Sequence, residues 1–192
     1  LGSKFEGHIE REVAGVELSS GNLGEGLSAA AGMALASRIN KVPYMVWTLM
    51  GDGEQQKGQI SEARRFAVKY GLNNLAAIVD YNRLQISGNI DAVMPQNIRR
   101  NWEADGWKVL EIDGHDFGAI FSALASASEA DLPTMILAHT VMGKGVPCME
   151  NLAKYHGSAL SEEQLDEALR VLDQPNQMDK YRQLRESFQA PA

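Results

Sequence analysis

The chain has 192 residues, 44% of them hydrophobic, and a formal net charge of −7. This length supports one sizeable core, so we predict a single domain over residues 1–192, with 161–192 as its C-terminal helical tail. The acidic balance argues against nucleic acid binding, and the lack of a run of about eighteen apolar residues argues against a membrane span.

The first predicted element is a helix from Leu27 to Arg38, which a glycine-rich loop precedes. Gly21, Gly24 and Gly26 permit close backbone approach just before this helix, and helix N-termini favour anionic groups. The pattern therefore predicts an anion-binding loop. The alternative interpretation is that the glycines only let the helix pack closely against a strand.

Two predicted strands follow, with a helix between them. Tyr44–Met50 has the β-branched and aromatic content of a buried strand, and Leu75–Val79 forms the second strand. Between them, apolar residues recur at helical spacing at Ile60, Ala63, Phe66, Ala67 and Tyr70. Strands connected in this way run parallel, so the residues that follow them emerge at one edge of the sheet, where open α/β folds bind ligands.

Asp52 and Asn82 are the polar residues expected at this edge. Gly51 and Gly53 flank Asp52 and should let the chain turn sharply, which would leave Asp52 exposed. Mg²⁺ prefers oxygen ligands, usually carboxylates completed by phosphate oxygens and water. Asp52, the Asn82 amide and the backbone carbonyl of Leu84 could supply such oxygens, so the pattern predicts a magnesium diphosphate site. The alternative is a tight turn with strand-capping side chains.

The rest of the chain continues the alternation of helices and strands. The pattern predicts a helix over Asn97–Ala104, a strand over Lys108–Ile112, a helix over Phe117–Glu129 and a strand over Thr134–Ala138. A capping box at Ser161 indicates another helix, and Met178–Phe188 is typical of a final amphipathic helix. We therefore predict an α/β fold with a doubly wound, mostly parallel sheet and helices on both faces.

Four phrases, in this order along the chain, together resemble the transketolase family. The resemblance extends from Gly7 to about Leu160. The Gly-Asp-Gly to Asn82 stretch resembles the thiamine diphosphate motif, and the last phrase is most similar to the separate N-terminal subunit of two-gene transketolases. The phrases are Ala14-Gly15-Val16-Glu17 with Ser20 to Leu27; Gly51-Asp52-Gly53 to Asn82; Ile112 to Asp116; and Thr140 to Val146 with Met149-Glu150-Asn151 and Tyr155-His156-Gly157.

This resemblance implies a metal site and a diphosphate site for the cofactor, thiamine diphosphate. Asp52, Asn82 and the Leu84 carbonyl match the family's ligands to Mg²⁺, which Ca²⁺ or Mn²⁺ could replace. Gly53 matches the residue whose backbone meets the diphosphate. Asn82 and Glu54 are grouped with it as cofactor-binding residues.

The resemblance also implies contacts to the cofactor rings and to the sugar substrate. Gly21, Asn22 and Leu23 match the loop that touches the rings. His156 matches a histidine that contacts cofactor diphosphate and sugar, and His8 resembles a histidine that contacts the donor sugar, so both are candidate catalytic residues. A histidine can donate to a sugar hydroxyl or carry a proton. From the residues alone, either could instead be a hydrogen-bonded structural histidine.

The other histidines and one lysine need separate interpretation. We expect His115, in a loop phrase, and His139, at the end of a strand, to be structural. Lys57 stands where many relatives have a glutamate that links the two active sites of a dimer. It is interpreted either as a surface lysine or as the partner of a carboxylate such as Glu54. The family's route of communication between sites is therefore in doubt for this chain.

The resemblance implies that this chain is the diphosphate-binding subunit of a transketolase, which moves a two-carbon ketol unit from a ketose phosphate to an aldose phosphate. The family's glutamate that activates the cofactor's aminopyrimidine lies on another domain. We therefore expect a partner subunit that carries the pyrimidine-binding domain, in a heterotetramer. The family also has a long segment before Gly7, so we expect the chain to be N-terminally incomplete. One cysteine, Cys148, excludes an internal disulfide and indicates a reducing, cytoplasmic location.

Other functions stay open at this stage. Another thiamine diphosphate reaction, of the deoxyxylulose phosphate synthase or dehydrogenase type, is the nearest enzymatic alternative. A non-catalytic binding module that keeps the fold is the alternative from another class. A nicotinamide-binding Rossmann domain is excluded, because no Gly-x-Gly-x-x-Gly follows a strand with an acidic residue about twenty positions later.

Overall fold

The fold is built on a sheet of four parallel strands. The computed structural model describes residues 8–19 and 21–187. Its strands are β1 (Val46–Gly51), β2 (Leu75–Tyr81), β3 (Leu84–Gln85), β4 (Gly88–Asn89), β5 (Lys108–Asp113) and β6 (Thr134–His139). The sheet order is β1-β2-β6-β5, with every neighbouring pair parallel, while β3 and β4 form a separate antiparallel hairpin.

Helices connect and follow the strands. They are α1 (Glu25–Asn40), α2 (Gly58–Lys69), α3 (Ile90–Val93), α4 (Ile98–Ala104), α5 (Phe117–Ser128), α6 (Glu162–Val171) and α7 (Met178–Ser187). Two short 3₁₀ helices, Gly53–Gln56 and Ala153–His156, lie in the loops. Within the described part of the chain, no helix is both long enough and apolar enough to cross a membrane.

Both faces of the sheet carry helices, which confirms the predicted fold class. On one face, α1, α2 and α4 bury Leu27, Ile60 and Trp102 against strand residues such as Val79 and Met135. On the other face, α5 packs its alanines against β2, β5 and β6. Parallel sheets are typically covered on both sides in this way, since their strands are apolar on both faces.

The helix starts follow from local side-chain chemistry. The Asn97 side chain caps α4, and the Asp116 carboxylate accepts hydrogen bonds from the backbone of Gly118 and Ala119 at the start of α5. The predicted capping box at Ser161 is present at α6. Such caps satisfy backbone N–H groups that a helix cannot pair internally.

The hairpin after β2 is the main element that the sequence pattern missed. Its strands have two residues each, too few for a period of two to be visible. The predicted boundaries also shift, because β1 begins at Val46 and ends at Gly51, and β2 continues to Tyr81. The hairpin and the later ends of β1 and β2 lie at the carboxyl edge of the sheet. The assignment of residues 1–192 to one domain stays a prediction.

Candidate functional site

Asp52 and the turn around Asn82 come together at the carboxyl edge of the sheet. In the parallel pairing of β1 with β2, Gly51 is opposite Asp80, so the two strands end side by side. The Oδ2 atom of Asp52 accepts a hydrogen bond from the backbone N–H of Arg83 at 2.5 Å. The Asn82 Oδ1 atom accepts one from the Leu84 N–H at 2.9 Å. The structure therefore juxtaposes the two predicted metal-binding segments.

The Asp52 side chain is buried, with only 2% of its surface exposed, so the prediction of an exposed carboxylate is wrong. Its Oδ1 atom accepts from the Gly53 N–H at 2.7 Å, while the turn at Arg83 covers Oδ2. Neither Gly51 nor Gly53 has a positive φ. The chain turns by entering a 3₁₀ helix that Asp52 caps, and not through an unusual glycine conformation.

The Asp52 carboxylate is buried, and no cationic side chain among the described residues pairs with it. Desolvation raises its pKa above 3.8, the charge of Asp80 raises it further, and hydrogen bonds from the Arg83 and Gly53 N–H groups act in the opposite direction. Among the described residues, no lysine, arginine or histidine forms an ion pair with Asp52. A buried carboxylate is costly unless a cation or metal accompanies it, so this position favours a bound cation.

The donor atoms that Asp52, Asn82 and Leu84 offer at this edge are oxygens. The described residues contain no cluster of three or more His, Cys, Asp or Glu side chains that could hold a metal. The half-buried Asn82 and Leu84 would add an amide oxygen and a backbone carbonyl to the Asp52 carboxylate. Such a set suits a hard cation such as Mg²⁺, Ca²⁺ or Mn²⁺, whose shell diphosphate oxygens and water would complete. Ligation by these three residues stays a prediction.

Gly53 lies against the hairpin formed by β3 and β4. A Cβ atom added at Gly53 would lie 3.2 Å from the Gln85 Cβ, and the Gln56 side chain donates to Gln85 Oε1 at 2.8 Å. The glycine is thus required for close approach of two segments. No periodicity in the sequence indicates this contact, since it joins residues about thirty positions apart.

The predicted ring-contacting loop lies next to the same 3₁₀ helix. Gly21, Asn22 and Leu23 are all exposed, while Gly24 is buried and donates its N–H to Glu54 Oε1 at 2.7 Å. The Asn22 side chain donates to the Glu25 carboxylate. The structure therefore brings this loop to the Asp52 turn and leaves its first three residues accessible to a ligand.

Glu54 and Lys57 lie close together in sequence but do not pair with each other. The Glu54 carboxylate accepts hydrogen bonds from the backbone of Gly24 and Gly51, so it is engaged within the protein. Lys57 is exposed, and within residues 8–19 and 21–187 it forms no ion pair with Glu54 or any other carboxylate. The surface interpretation of Lys57 is the one that the structure supports.

Gln55 connects the Asp52 turn to Trp102 in the core through side-chain hydrogen bonds. Its Oε1 atom accepts from the Trp102 indole N–H at 3.1 Å, and its Nε2 atom donates to the Gly51 carbonyl at 3.1 Å. The side chains of Gln55 and Trp102 are both buried. No sequence pattern indicates this link, because it depends on α4 packing beneath the turn.

We expect Gln55→Leu to destabilise the fold, because it leaves the Trp102 indole N–H buried without an acceptor and removes the hydrogen bond to the Gly51 carbonyl. Each unsatisfied group costs about 1–3 kcal/mol. Urea unfolding measures this loss. Gln59→Leu on the neighbouring helix is the matched control, since the half-buried Gln59 side chain bonds, among the described residues, only the Ser28 hydroxyl. Equal stability of the two variants would contradict this role for Gln55.

His156 lies at the end of the second 3₁₀ helix, which packs against the β3–β4 hairpin. A Cβ atom added at the following Gly157 would lie 3.5 Å from Ile86 Cδ1, at the tip of that hairpin. The His156 side chain is exposed. The structure therefore brings the His156 segment to the carboxyl edge through the hairpin that follows Asn82.

The structure does not connect His8 with this edge. Its side chain is exposed and forms no hydrogen bond with another described residue. The neighbouring residues 1–7, and Ser20 of the glycine-rich phrase, lie outside the described residues. A role for His8 in contacting a sugar stays a prediction.

The remaining two histidines are held by protein groups, as expected for structural residues. His115 Nε2 accepts a hydrogen bond from the Val141 N–H at 2.8 Å. His139 Nε2 lies 2.5 Å from Glu111 Oε1, and its ring lies edge-on to Tyr81. The hydrogen bond with His139 is the main cause that lowers the pKa of Glu111.

A second feature of the carboxyl edge is a cavity of about 560 Å³ beside Glu111, lined by residues that include Tyr81, Asp91 and Arg99. Arg99 donates to Glu111 at 2.9 Å, which completes a small charge network that no sequence pattern indicates. A cavity of about 660 Å³ opens near Tyr44 and Asn74, at the amino ends of β1 and β2. That cavity is at the opposite edge from Asp52 and takes no part in the site.

Comparison with known proteins identifies relatives of this chain. The family described as transketolase, thiamine diphosphate binding domain, matches residues 1–182. An apulose-4-phosphate transketolase subunit of Phocaeicola vulgatus is 43% identical over 91% of this chain and 63% of its own length. The 6-deoxy-6-sulfo-D-fructose transketolase subunit SqwG of Clostridium sp. is 39% identical over 90% of this chain and 64% of its own length.

A solved structure agrees with these relationships. The crystal structure of transketolase from Campylobacter jejuni superposes with a TM-score of 0.82 and 33% identity, covering 95% of this chain and 31% of that chain. The chain thus spans less than two thirds of the length of both related subunits and about a third of this larger transketolase.

Proposed function

Because the chain belongs to the transketolase family through its thiamine diphosphate-binding domain, we propose that it forms the metal- and diphosphate-binding part of a two-subunit transketolase. The observation that carries this proposal is the buried Asp52 carboxylate, which has no cationic partner among the described residues and touches the turn around Asn82. A divalent cation would balance this charge and could at the same time hold a diphosphate at the edge where α/β folds bind ligands.

The residues at this edge suit the cofactor in three places. Asp52, Asn82 and the Leu84 carbonyl would hold Mg²⁺, and Gly53 would present its backbone to the diphosphate. The exposed loop residues 21–23 would lie against the rings. When bound, thiamine diphosphate supplies a nucleophilic carbon that attacks a ketose carbonyl and stores the developing negative charge. The protein's contribution is to bind and orient, which the tightly bonded Asp52 turn supports.

We propose that His156 contacts the substrate or the diphosphate. It is exposed, and its helix packs on the hairpin that follows Asn82. A histidine at this position can donate a hydrogen bond to a sugar hydroxyl or to a diphosphate oxygen. We propose the same chemistry for His8 on the sugar side of the site.

We also propose a partner subunit that carries the pyrimidine-binding domain, in a cytoplasmic heterotetramer. Two relatives are named as subunits of transketolases, and cofactor sites often form at interfaces between domains. Those two names specify different sugars, a phosphorylated one and a sulfonated one. For this chain we propose a ketose phosphate as donor and an aldose phosphate as acceptor of a two-carbon unit.

Transfer of the two-carbon unit tests the proposal directly. We expect products from ketose and aldose phosphates only when the chain, its partner subunit, thiamine diphosphate and Mg²⁺ are all present, as measured by mass spectrometry. Omission of any one component is the control, and a sulfonated ketose replaces the donor in a parallel reaction. Light scattering of the complex should give two copies of each subunit.

The possible failures have distinct meanings. Turnover by the chain without a partner, or a complex that is only a monomer, would contradict the proposed assembly. Metal-dependent cofactor binding without transfer to any tested acceptor would contradict the enzymatic role and favour a non-catalytic binding module.

A further inference from the structure

Glu54 connects two parts of the site that are thirty residues apart in sequence. We propose that Glu54 is a positioning residue, which couples the loop at residues 21–24 to the Asp52 turn, so that the ring-binding and diphosphate-binding parts of the site act as one unit. This inference rests on the proposed function, because that proposal assigns cofactor rings to the loop and diphosphate to the turn.

The geometry of the Glu54 carboxylate carries the inference. Oε1 accepts from the Gly24 N–H at 2.7 Å, and Oε2 accepts from the Gly51 N–H at 3.2 Å. An ionised carboxylate is an acceptor only, with two oxygens, so it can satisfy both backbone donors at once. No neutral side chain of similar size offers two equivalent acceptors, since glutamine has one oxygen and an NH₂ group.

Gly24 also packs against Lys57, the residue that follows the 3₁₀ helix Gly53–Gln56. Gly24 is buried and has a φ of +92°, a conformation that favours glycine. A Cβ atom at this position would lie 3.0 Å from the Lys57 Cβ. The backbone of the loop is thus packed against the segment that contains Glu54 and Lys57, with Glu54 supplying the directional bonds.

The same short helix also holds the proposed metal ligand. Asp52 is its N-terminal cap and accepts from the Gly53 N–H, two residues before Glu54. A displacement of the loop relative to Asp52 would therefore break the hydrogen bond between the Gly24 N–H and Glu54. This arrangement explains why a carboxylate is present near a proposed anionic ligand, because its charge is directed at two protein N–H groups. Bonds of this kind to charged acceptors are stronger than neutral ones.

Binding of two ligands, thiamine diphosphate and inorganic pyrophosphate, each with Mg²⁺, tests whether Glu54 positions the loop or contacts the metal and diphosphate itself. Pyrophosphate engages only the proposed metal and diphosphate part. In Glu54→Ala we expect thiamine diphosphate affinity to fall about 10–100-fold, as when an outer-shell partner is lost. Pyrophosphate affinity should change by less than about threefold. Calorimetry on the complete protein with its partner subunit measures both.

A second variant and a second readout guard against simple loss of fold. Glu54→Gln keeps one acceptor, so its thiamine diphosphate affinity should lie between those of the wild type and the alanine variant. Hydrogen exchange at the Gly24 and Gly51 amides, without ligand, should accelerate in both variants. Glu62→Ala is the matched control, because Glu62 is exposed on α2 and has no partner among the described residues.

Three results would overturn the inference. Unchanged thiamine diphosphate affinity and unchanged Gly24 exchange in Glu54→Ala would show that the bond does not position the loop. Equal losses for both ligands would indicate that Glu54 acts on the metal or diphosphate itself. Failure of the wild-type protein to bind either ligand would remove the proposed function and, with it, the coupling.

Discussion

Replacement of Asp52 by alanine is expected to abolish magnesium-dependent binding of thiamine diphosphate and to destabilise the fold at the same time. The affinity should fall by more than the roughly 10–100-fold that follows loss of an outer-shell partner, because a charged ligand itself is removed. The fold should lose stability because the Gly53 and Arg83 N–H groups lose their buried acceptor. Each such group costs about 1–3 kcal/mol.

An isosteric variant separates these two effects. Asp52→Asn keeps the volume and one acceptor oxygen, so its unfolding free energy without metal should fall by less than that of the alanine variant. It lacks the negative charge that a divalent cation requires, so it should bind cofactor as poorly as the alanine variant. Calorimetry and urea unfolding measure the two properties. Wild-type cofactor affinity in Asp52→Asn would show that the metal site is elsewhere.

Gly114→Ala should be among the most destabilising single substitutions in the described chain. A Cβ atom at Gly114 would lie 2.5 Å from Thr140 Cγ2 and 3.0 Å from the His139 carbonyl oxygen, which itself accepts from the Gly114 N–H at 2.7 Å. Because backbone must move to relieve this overlap, the cost should reach or exceed the roughly 1–3 kcal/mol typical of overpacking. Urea unfolding measures it.

Gly32→Ala provides the matched control for this effect. Gly32 lies within α1, and apart from its own helix backbone no heavy atom of the described residues is within 4 Å of a Cβ built there. The substitution should stabilise the protein by about 0.5–1 kcal/mol, because alanine loses less conformational entropy than glycine in a helix. The two alanine substitutions should therefore change the free energy of unfolding in opposite directions. Similar stability of both variants would contradict the packing described around Gly114.

Helices and strands with regularly spaced apolar residues could be predicted from the sequence. Elements that depend on contacts between distant residues could not. The β1–α2–β2 unit was recognisable because its apolar spacing changes from strand to helix and back. Because Asp52 and Asn82 follow the two parallel strands directly, the same unit also placed them at one edge of the sheet. The β3–β4 hairpin was missed because strands of two residues carry no visible period.

The environment of the predicted ligands depended on contacts that no local pattern contains. Asp52 was expected to be exposed, yet the turn at Arg83, thirty-one residues away, covers it. Glu54 likewise has its role set by Gly24, thirty residues earlier in the chain. Residue type indicated which chemistry was available at this edge, while burial and hydrogen bonding were decided by tertiary packing.

Thermal unfolding with thiamine diphosphate and Mg²⁺, singly and together, tests the central claim most directly. We predict that the complete protein with its partner subunit is stabilised when both are present, by about 2.7 kcal/mol at a ligand concentration one hundred times the dissociation constant. This corresponds to a shift of several degrees for a domain of this size. An equal shift with cofactor but without any divalent cation, or no shift with both, would contradict a metal-dependent diphosphate site at Asp52.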